Sequence, residues 1–279
     1  MNSKRVLITG LNGLIGWNLF KWSGQLYDTY GTYRKVHPLF RDEQCFHLNP
    51  DSESELQEKL ELLRPDYLIH SWAMCDLDLC EEMPLMAWEI NVKGTQAILN
   101  AASRVPSIKK FIYISTDHVF SGDQGAYTEE DSPKPKHVYG RTKYEAEKLV
   151  QKSGLPFLIV RPGLVLGKSL QGNKGPKDFL FSRIRAHKPM HYFTDEWRSP
   201  VLAEDLAREV LELTFSDASG IAHVAGERIC NRYELAFELA VSHGYATDCI
   251  HPRLRAEDRW AHIRPRDISL KSGRRGIKK

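Results

Sequence analysis

Short apolar runs alternate with amphipathic segments through the first 162 residues of the chain. The apolar runs cover residues 5–9, 27–33, 67–70, 111–115 and 155–160, and the segment 51–63, which Asp51 or Ser52 would cap, places Leu56, Leu60 and Leu63 on one helical face. An uninterrupted apolar run is typical of a parallel strand covered on both faces, and spacing of three and four residues predicts a helix. The alternation therefore predicts an α/β fold, a Rossmann-type doubly wound parallel sheet.

Composition places the chain among ordinary globular proteins. Of its 279 residues, 42% are hydrophobic and 27% are charged, and the formal net charge is only +3. So small an excess gives no reason to expect a nucleic acid or a membrane surface as partner. The five cysteines form no Cys-x-x-Cys pair, and the apolar run before Gly10 is too short for a signal peptide or a membrane span. We expect reduced thiols in a cytoplasmic protein.

A glycine turn follows the first predicted strand and precedes a predicted helix. Strand, glycine turn and helix in that order form the context in which a dinucleotide pyrophosphate binds, because the glycines allow close backbone approach and the helix N-terminus offers free N–H groups. The loop of small residues after the third strand is also suited to passing close to a cofactor. The predicted cofactor contacts are Gly10, Asn12, Gly13, Leu14, Ile15, Gly16 and Ala73.

The end of the second predicted strand indicates which dinucleotide is bound. An acidic residue there would hold the ribose hydroxyls of NAD, but the chain has Arg34 and Lys35 instead. A guanidinium beside an ammonium suits a 2′-phosphate, and this favours NADP(H). The alternative is that both are cations of a solvent-facing loop.

The regular alternation weakens beyond residue 162. Helices are expected near 178–187, 203–213 and 232–243, a strand near 221–224, and a loop over 194–200. We expect residues 1–162 to form an NADP-binding Rossmann domain. Residues 163–279 would form mostly a smaller C-terminal substrate-binding part, interwoven with the first domain because no low-complexity linker separates them.

Candidate chemistry lies in a segment that begins at Val138. Tyr139 and Lys143 stand four residues apart, so they share one face of a predicted helix. An ammonium beside a phenol favours the phenolate, which predicts a lowered pKa for Tyr139 and a role in proton transfer to a carbonyl. Taken alone, the pair shows little, because tyrosine and lysine at this spacing on a charged helix usually belong to a solvated face. The strand over 111–115 ends at Thr116 and Asp117, and the carboxyl ends of parallel strands border the ligand crevice.

Several motifs in order resemble the extended short-chain dehydrogenase/reductases, specifically the dTDP-4-dehydrorhamnose reductase branch. They are Gly10-Leu11-Asn12-Gly13-Leu14-Ile15-Gly16, Tyr113-Ile114-Ser115-Thr116-Asp117-His118-Val119-Phe120, Tyr127-Thr128-Glu129-Glu130-Asp131, Tyr139-Gly140-Arg141-Thr142-Lys143 and Arg264-Pro265-Arg266-Asp267. The resemblance covers nearly the whole chain. It implies that Thr116, Tyr139 and Lys143 form the catalytic triad and that Asn91, in a helical pattern over 81–104, supports a proton relay.

The resemblance also implies an activity, the NADPH-dependent reduction of a keto-sugar carried on a nucleotide. Tyr139 would protonate the carbonyl oxygen, Thr116 would donate to it, and Lys143 would hold the nicotinamide ribose and lower the phenol pKa. Substrate contacts would come from Asp117, from Asp78 in the loop after the third strand, and from Arg198, which alternatively forms a structural ion pair. A homodimer through the helices over 81–104 and 139–152 is expected by analogy, and no metal is expected.

Two departures from the branch leave other activities open. His118 stands where the branch often has tyrosine, and residues 163–167 read Gly-Leu-Val-Leu-Gly where it tends to have a tryptophan, so contacts with the sugar would differ. One alternative is a sugar 4,6-dehydratase or epimerase, although His118 replaces the glutamate that serves dehydratases as base. The other is a non-catalytic NADP-binding regulatory subunit resembling that of methionine adenosyltransferase.

Overall fold

A computed structural model of the chain describes residues 4–41, 43–48 and 53–271. Its strands are β1 (Arg5–Thr9), β2 (Asp28–Tyr33), β3 (Cys45–His47), β4 (Tyr67–His70), β5 (Lys110–Ile114), β6 (Phe157–Pro162), β7 (Val165–Leu166), β8 (Met190–Phe193), β9 (Trp197–Arg198), β10 (Val201–Leu202), β11 (Gly220–Val224), β12 (Cys230–Asn231) and β13 (Ile250–Arg253). Its α-helices are α1 (Leu14–Ser23), α2 (Glu53–Leu63), α3 (Leu77–Glu82), α4 (Pro84–Trp88), α5 (Gly94–Ser103), α6 (Val138–Lys152), α7 (Pro176–Arg185), α8 (Ala203–Phe215) and α9 (Arg232–Ser242).

A seven-stranded sheet with the order β11-β6-β5-β4-β1-β2-β3 organises the described residues, and all of its neighbouring strands are parallel. The chain runs from β1 outward to β3 and then returns to place β4 on the other side of β1. This reversal is the topological switch point of a doubly wound sheet, where ligands bind beyond the carboxyl ends of the strands. The predicted Rossmann-type α/β fold is confirmed.

Both faces of the sheet are buried, which explains the uninterrupted apolar runs. In β1, Val6 and Ile8 pack in one core with residues of α1 and α8, whereas Leu7 packs in the opposite core with residues of α2, α5 and α6. Successive side chains of a strand point to opposite faces, so a central strand needs apolar residues at every position.

The elements that follow residue 163 belong partly to the main sheet and its core and partly to a separate apolar cluster. Strand β11 pairs with β6 at the edge of the main sheet, and α8 packs in the same core as α1. Elements α7, β8, α9 and β13 enclose a separate cluster of buried apolar side chains, and β8 pairs with β13.

The structure corrects two predicted elements. The helix expected over 81–104 is divided into α3, α4, a π-helical turn (Glu89–Lys93) and α5, because Pro84 begins α4 after an interruption at Met83. The loop expected over 194–200 contains β9, which pairs with β12. Helix α2 lies within the predicted 51–63, but the expected capping positions 51 and 52 lie outside the described residues.

Candidate active site

The glycine turn between β1 and α1 requires glycine for two different reasons. Gly10 has a φ of +86°, and a Cβ there would lie 2.9 Å from the backbone of Trp72. A Cβ on Gly16 would overlap the carbonyl oxygen of Gly10. At the N-terminus of α1, Gly13 provides no side chain to cap the first-turn N–H groups of the helix. The turn is therefore tightly packed within the protein, and it leaves the first-turn N–H groups of α1 without a side-chain cap, as a phosphate site requires.

Asn12 connects this turn to the end of β2. Its side-chain oxygen accepts hydrogen bonds from the backbone N–H groups of Arg34 (2.9 Å) and Lys35 (3.0 Å), and its amide donates to the Lys35 carbonyl (2.8 Å). The side chain of Arg34 itself is exposed. Asn12 thus positions the loop on which the predicted cofactor cation Arg34 is carried.

The carboxyl end of β5 and the first two turns of α6 bring Thr116, Tyr139 and Lys143 together. All three side chains are buried, with Lys143 only 2% exposed. The Lys143 ammonium donates to the Ile114 carbonyl (2.8 Å) and lies 4.0 Å from the centroid of the Tyr113 ring. Helix α6 therefore carries its tyrosine and lysine against the sheet rather than into solvent.

Burial sets the protonation of this group. It raises the pKa of Tyr139 well above its usual value, and a hydrogen bond between the phenol and Thr116 opposes the rise without cancelling it. Burial also lowers the pKa of Lys143 to about 7, while Glu147 raises it. The predicted lowering of the Tyr139 pKa is wrong in the structure, because loss of solvation raises it. The phenol remains protonated and can donate a proton.

A buried ion pair lies behind the lysine on the same face of α6. Glu147 accepts two hydrogen bonds from Arg161, from Nε (2.9 Å) and from Nη2 (2.7 Å), and a third from the Ser115 hydroxyl (2.5 Å). The side chains of Glu147 and Arg161 are 0% and 1% exposed. Sequence inspection did not single out Glu147, although its place four residues after Lys143 was the available signal.

Asn91 lies in the π-helical turn, where its side chain joins two parts of the site. Its amide donates to the Met74 carbonyl (3.0 Å) and the Thr142 hydroxyl (2.9 Å), and its oxygen accepts from the Met74 N–H (2.8 Å). Thr142 belongs to α6, and Met74 follows Ala73 in the loop after β4. Asn91 therefore fixes the loop expected beside the cofactor to the helix that carries Tyr139.

The three predicted substrate residues have different surroundings. Arg198 is 1% exposed and forms an ion pair with Glu196, as the alternative interpretation expected. Asp78 lies in the first turn of α3, not in a loop, and forms an ion pair with Arg264 (2.8 Å).

Asp117 accepts from the Thr116 hydroxyl with one oxygen (3.1 Å), and its Oδ2 is buried with no hydrogen-bond partner among the described residues. Burial raises the pKa of Asp117 to about 6, and the charge of Arg198 opposes this rise. Among the three residues predicted to contact substrate, Asp117 is the one whose side chain has a buried oxygen without a hydrogen-bond partner in the described residues. A ligand hydroxyl could supply that partner.

Two histidines, His118 and His137, flank Tyr139. The sequence motifs drew attention only to His118. His118 Nδ1 lies 2.8 Å from His137 Nε2. The ring centroids of His118 and His137 lie 5.9 Å and 6.2 Å from that of Tyr139. Because the pair is 19 residues apart and joined by an irregular loop, no local spacing indicated it.

The segment 163–167 is fixed by its neighbours. A Cβ on Gly163 would overlap the carbonyl oxygen of Ser199, and the Leu164 carbonyl accepts from the Val201 N–H (2.9 Å). Strand β7 pairs with β10. The position at which the branch tends to carry a tryptophan thus lies in tightly packed backbone.

Within residues 4–41, 43–48 and 53–271, no group of three His, Cys, Asp or Glu side chains is placed to hold a metal ion. In the same ranges no helix combines the length and the apolar composition that crossing a membrane requires.

Comparison with known proteins gives four related findings. The sequence matches the family described as the RmlD substrate binding domain over residues 4–274. It is 29% identical over 260 residues to methionine adenosyltransferase 2 subunit beta of Mus musculus, covering 90% of this chain and 75% of that protein. It is 30% identical over 239 residues to the probable low-salt glycan biosynthesis reductase of Haloferax volcanii, covering 80% of this chain and 78% of that one. A dTDP-4-dehydrorhamnose reductase from Bacillus anthracis, solved in complex with NADP, superposes with a TM-score of 0.85 at 26% identity, covering 98% of this chain and 91% of that one.

Proposed function

The chain belongs to the RmlD substrate binding domain family, in the dTDP-4-dehydrorhamnose reductase branch of the extended short-chain dehydrogenase/reductases, and from this premise we propose that it reduces a nucleotide-linked keto-sugar with NADPH. The observation that carries the proposal is the buried phenol of Tyr139. Its raised pKa keeps the proton that a carbonyl oxygen requires during reduction, and the hydroxyl of Thr116 lies beside it.

The residues around the glycine turn fit a dinucleotide. Gly10 and Gly16 let the turn pack closely against Trp72 and against itself, and the first turn of α1 offers N–H groups to a pyrophosphate. Arg34, held at the end of β2 by Asn12, would pair with the 2′-phosphate of NADPH, and Ala73 would line the nicotinamide side. When bound, NADPH supplies the hydride for the carbonyl carbon.

The side chains of the site have separate roles in the proposed reaction. Tyr139 donates its proton to the carbonyl oxygen, and the hydroxyl of Thr116 donates a hydrogen bond to the same oxygen as negative charge develops there. Lys143, whose ammonium donates to the Ile114 carbonyl, would hold the ribose of the cofactor. Asp117 accepts from a hydroxyl of the sugar. Asn91 acts at a distance by fixing the loop of Met74 to α6.

The substrate is proposed to bind between the carboxyl end of β5 and the part formed by residues after 163. Arg198, paired with Glu196, and Asp78, paired with Arg264, would border this crevice as fixed charges rather than as free ligands. A homodimer through α4, α5 and α6 remains a proposal by analogy with the superfamily. Light scattering of the purified protein measures it directly.

The experiment that tests the function is a screen of NADPH oxidation against a panel of nucleotide-linked and free keto-sugars. Turnover of at least one nucleotide-linked keto-sugar supports the proposal. Lack of turnover with every member of the panel, in protein that binds NADPH, contradicts it. Tightly retained NAD⁺ in the purified protein would instead favour the epimerase or dehydratase alternative.

A second candidate function is that of a non-catalytic subunit that binds NADP. The 29% identity to methionine adenosyltransferase 2 subunit beta over 90% of the chain favours it. The two candidates make different predictions for a pull-down from the native host. Stoichiometric recovery of an enzyme partner, together with no turnover of keto-sugars, would decide for the subunit.

A further inference from the structure

A chain of two hydrogen bonds connects the start of α6 with His118. His137 is the residue that caps α6, and its Nδ1 accepts a hydrogen bond from the Gly140 N–H (3.0 Å). Its other nitrogen, Nε2, lies 2.8 Å from Nδ1 of His118. Histidine is an uncommon capping residue, and here it uses both ring nitrogens at once.

This arrangement fixes which nitrogens carry protons. A backbone N–H can only donate, so Nδ1 of His137 has no proton and the neutral ring carries its proton on Nε2. That proton is donated to Nδ1 of His118. The neutral ring of His118 must then carry its own proton on Nε2.

The surroundings keep both rings neutral. A proton on Nδ1 of His118 would face the N–H of His137 at 2.8 Å. Burial lowers the pKa of His118 well below its usual value and that of His137 to about 3, and the charges of Arg198 and Arg264 act in the same direction on both. The pair is therefore a fixed donor system at neutral pH.

The free end of this system lies beside the proposed reaction centre. No described residue forms a hydrogen bond with Nε2 of His118, a side chain that is only partly buried. Its chain neighbour Asp117 has a buried Oδ2 that is likewise unpartnered among residues 4–41, 43–48 and 53–271. The ring of His118 lies 5.9 Å from the ring of Tyr139, centroid to centroid.

We propose that His137 fixes His118 as the Nε2–H tautomer, and that His118 Nε2 and Asp117 Oδ2 together bind one hydroxyl group of the keto-sugar near the carbonyl that is reduced. A hydroxyl accepts from a donor and donates to an acceptor, so the two side chains complement it fully. His118 is a substrate-binding residue, and His137 is a positioning residue that acts through it. The substrate part of the proposal rests on the proposed function.

The tautomer is tested without any substrate by ¹⁵N NMR of the full-length protein labelled in its histidines. We expect His118 to show a protonated Nε2 and an unprotonated Nδ1, with its signals assigned by their loss in H118Q. Asparagine at position 137 keeps an oxygen to cap α6 but has no second group to reach His118. H137N is therefore expected to unfold at a similar temperature while His118 shows both tautomers. Protonated Nδ1 in the wild type, or no change in H137N, would overturn the inference.

The substrate role is tested by comparing two amide variants. The amide of glutamine reaches the place of Nε2 and still donates, whereas the shorter amide of asparagine reaches only the place of Nδ1. With a keto-sugar identified in the NADPH screen, H118N is expected to lose about 100-fold in kcat/KM and H118Q less than about 10-fold. A substrate analogue that lacks this hydroxyl should have a low kcat/KM with the wild type. H118N should lower the kcat/KM of the analogue little further.

The controls separate this inference from the proposed function. H191N changes an exposed histidine of β8 and should alter neither the NMR signals of His118 nor turnover. Equal kcat/KM of H118N and H118Q in an active enzyme would overturn the substrate role of His118 alone. Absence of turnover by the wild type would overturn the proposed function and this role, while the NMR result would still decide the tautomer.

Discussion

Glu147 accepts hydrogen bonds from two of the three guanidinium nitrogens of Arg161, Nε at 2.9 Å and Nη2 at 2.7 Å, and lies four residues after Lys143 on α6. The pair is buried, and its carboxylate is one of the charges that raises the pKa of Lys143 against the effect of burial. The same carboxylate accepts from Ser115 at the end of β5. One buried ion pair thus joins α6, β5 and β6 and supports the charge of Lys143.

Replacing Glu147 by glutamine should therefore change both stability and pH dependence. E147Q leaves the Arg161 charge buried and unpaired, which is expected to cost about 3 kcal/mol in the free energy of unfolding measured with urea. Because Glu147 raises the Lys143 pKa, its loss lowers that pKa below about 7. Lysine then deprotonates at lower pH, and the alkaline limb of the pH–rate profile should shift to lower pH.

The control for E147Q is the same substitution on the exposed side of α6. Glu145 forms an ion pair with Lys148, and both side chains are 39% exposed. E145Q should change stability by less than about 0.5 kcal/mol and leave the pH profile in place. An E147Q protein as stable as E145Q, with an unmoved profile, would contradict the role assigned to the buried pair.

Asp117 should make the folded protein less stable as pH rises through the acidic range. Its folded pKa of about 6 lies above the ordinary value of 3.8, so between these values the native state binds more protons than the unfolded state. Stability therefore falls between about pH 4 and pH 6. D117N removes this dependence and should be more stable than the wild type above pH 6 by up to about 3 kcal/mol, while kcat/KM falls. Urea unfolding of both proteins across this pH range measures the difference in stability. If the stability of the two proteins changed with pH in parallel, the raised pKa of Asp117 would be refuted.

Gly10 should be essential for cofactor binding through its close approach to Trp72. G10A combines strain at φ +86° with a Cβ 2.9 Å from the Trp72 backbone, and we expect at least about a 100-fold loss of NADPH affinity by titration calorimetry. Gly154 is a matched control, since its φ is +75° and a Cβ there would meet nothing within 4 Å. G154A should lose only about 1 kcal/mol of stability from backbone strain and bind NADPH normally. Equal losses of NADPH affinity in G10A and G154A would show that backbone strain alone is responsible.

Arg34 should determine the preference for NADPH over NADH. Loss of a charge-assisted contact with the 2′-phosphate is expected to weaken NADPH binding about 10- to 100-fold in R34A and to leave NADH binding unchanged. R185A, which removes an exposed cation from the last turn of α7, serves as the control. If R34A bound both dinucleotides as the wild type does, Arg34 would be a solvent-facing loop cation.

The elements that the sequence predicted well are those whose signals are local. The run over 5–9 is apolar because a strand covered on both faces needs apolar side chains. The turn begins with Gly10 because its backbone lies too close to Trp72 for a side chain. The convergence of Thr116 with Tyr139 and Lys143 followed from motifs in order and from where strands end in a parallel sheet.

The features that the sequence did not predict depend on tertiary surroundings. The pKa of Tyr139 rises because the whole site is buried, which no spacing on α6 reveals. Arg198 is paired with Glu196, two residues away, in a segment that was expected to be a loop and that contains β9. The bond between His118 and His137 requires an irregular loop to return to the end of β5.

The central claim is that the phenol of Tyr139 protonates the carbonyl that NADPH reduces. The most direct measurement compares kcat/KM for the keto-sugar in the wild type and in Y139F, with the Kd for NADPH measured in parallel. Phenylalanine keeps the ring among its buried neighbours and removes only the hydroxyl. We predict a loss of at least about 1,000-fold in kcat/KM with the NADPH affinity retained. A Y139F enzyme that turns over the keto-sugar within about tenfold of the wild type would contradict the claim.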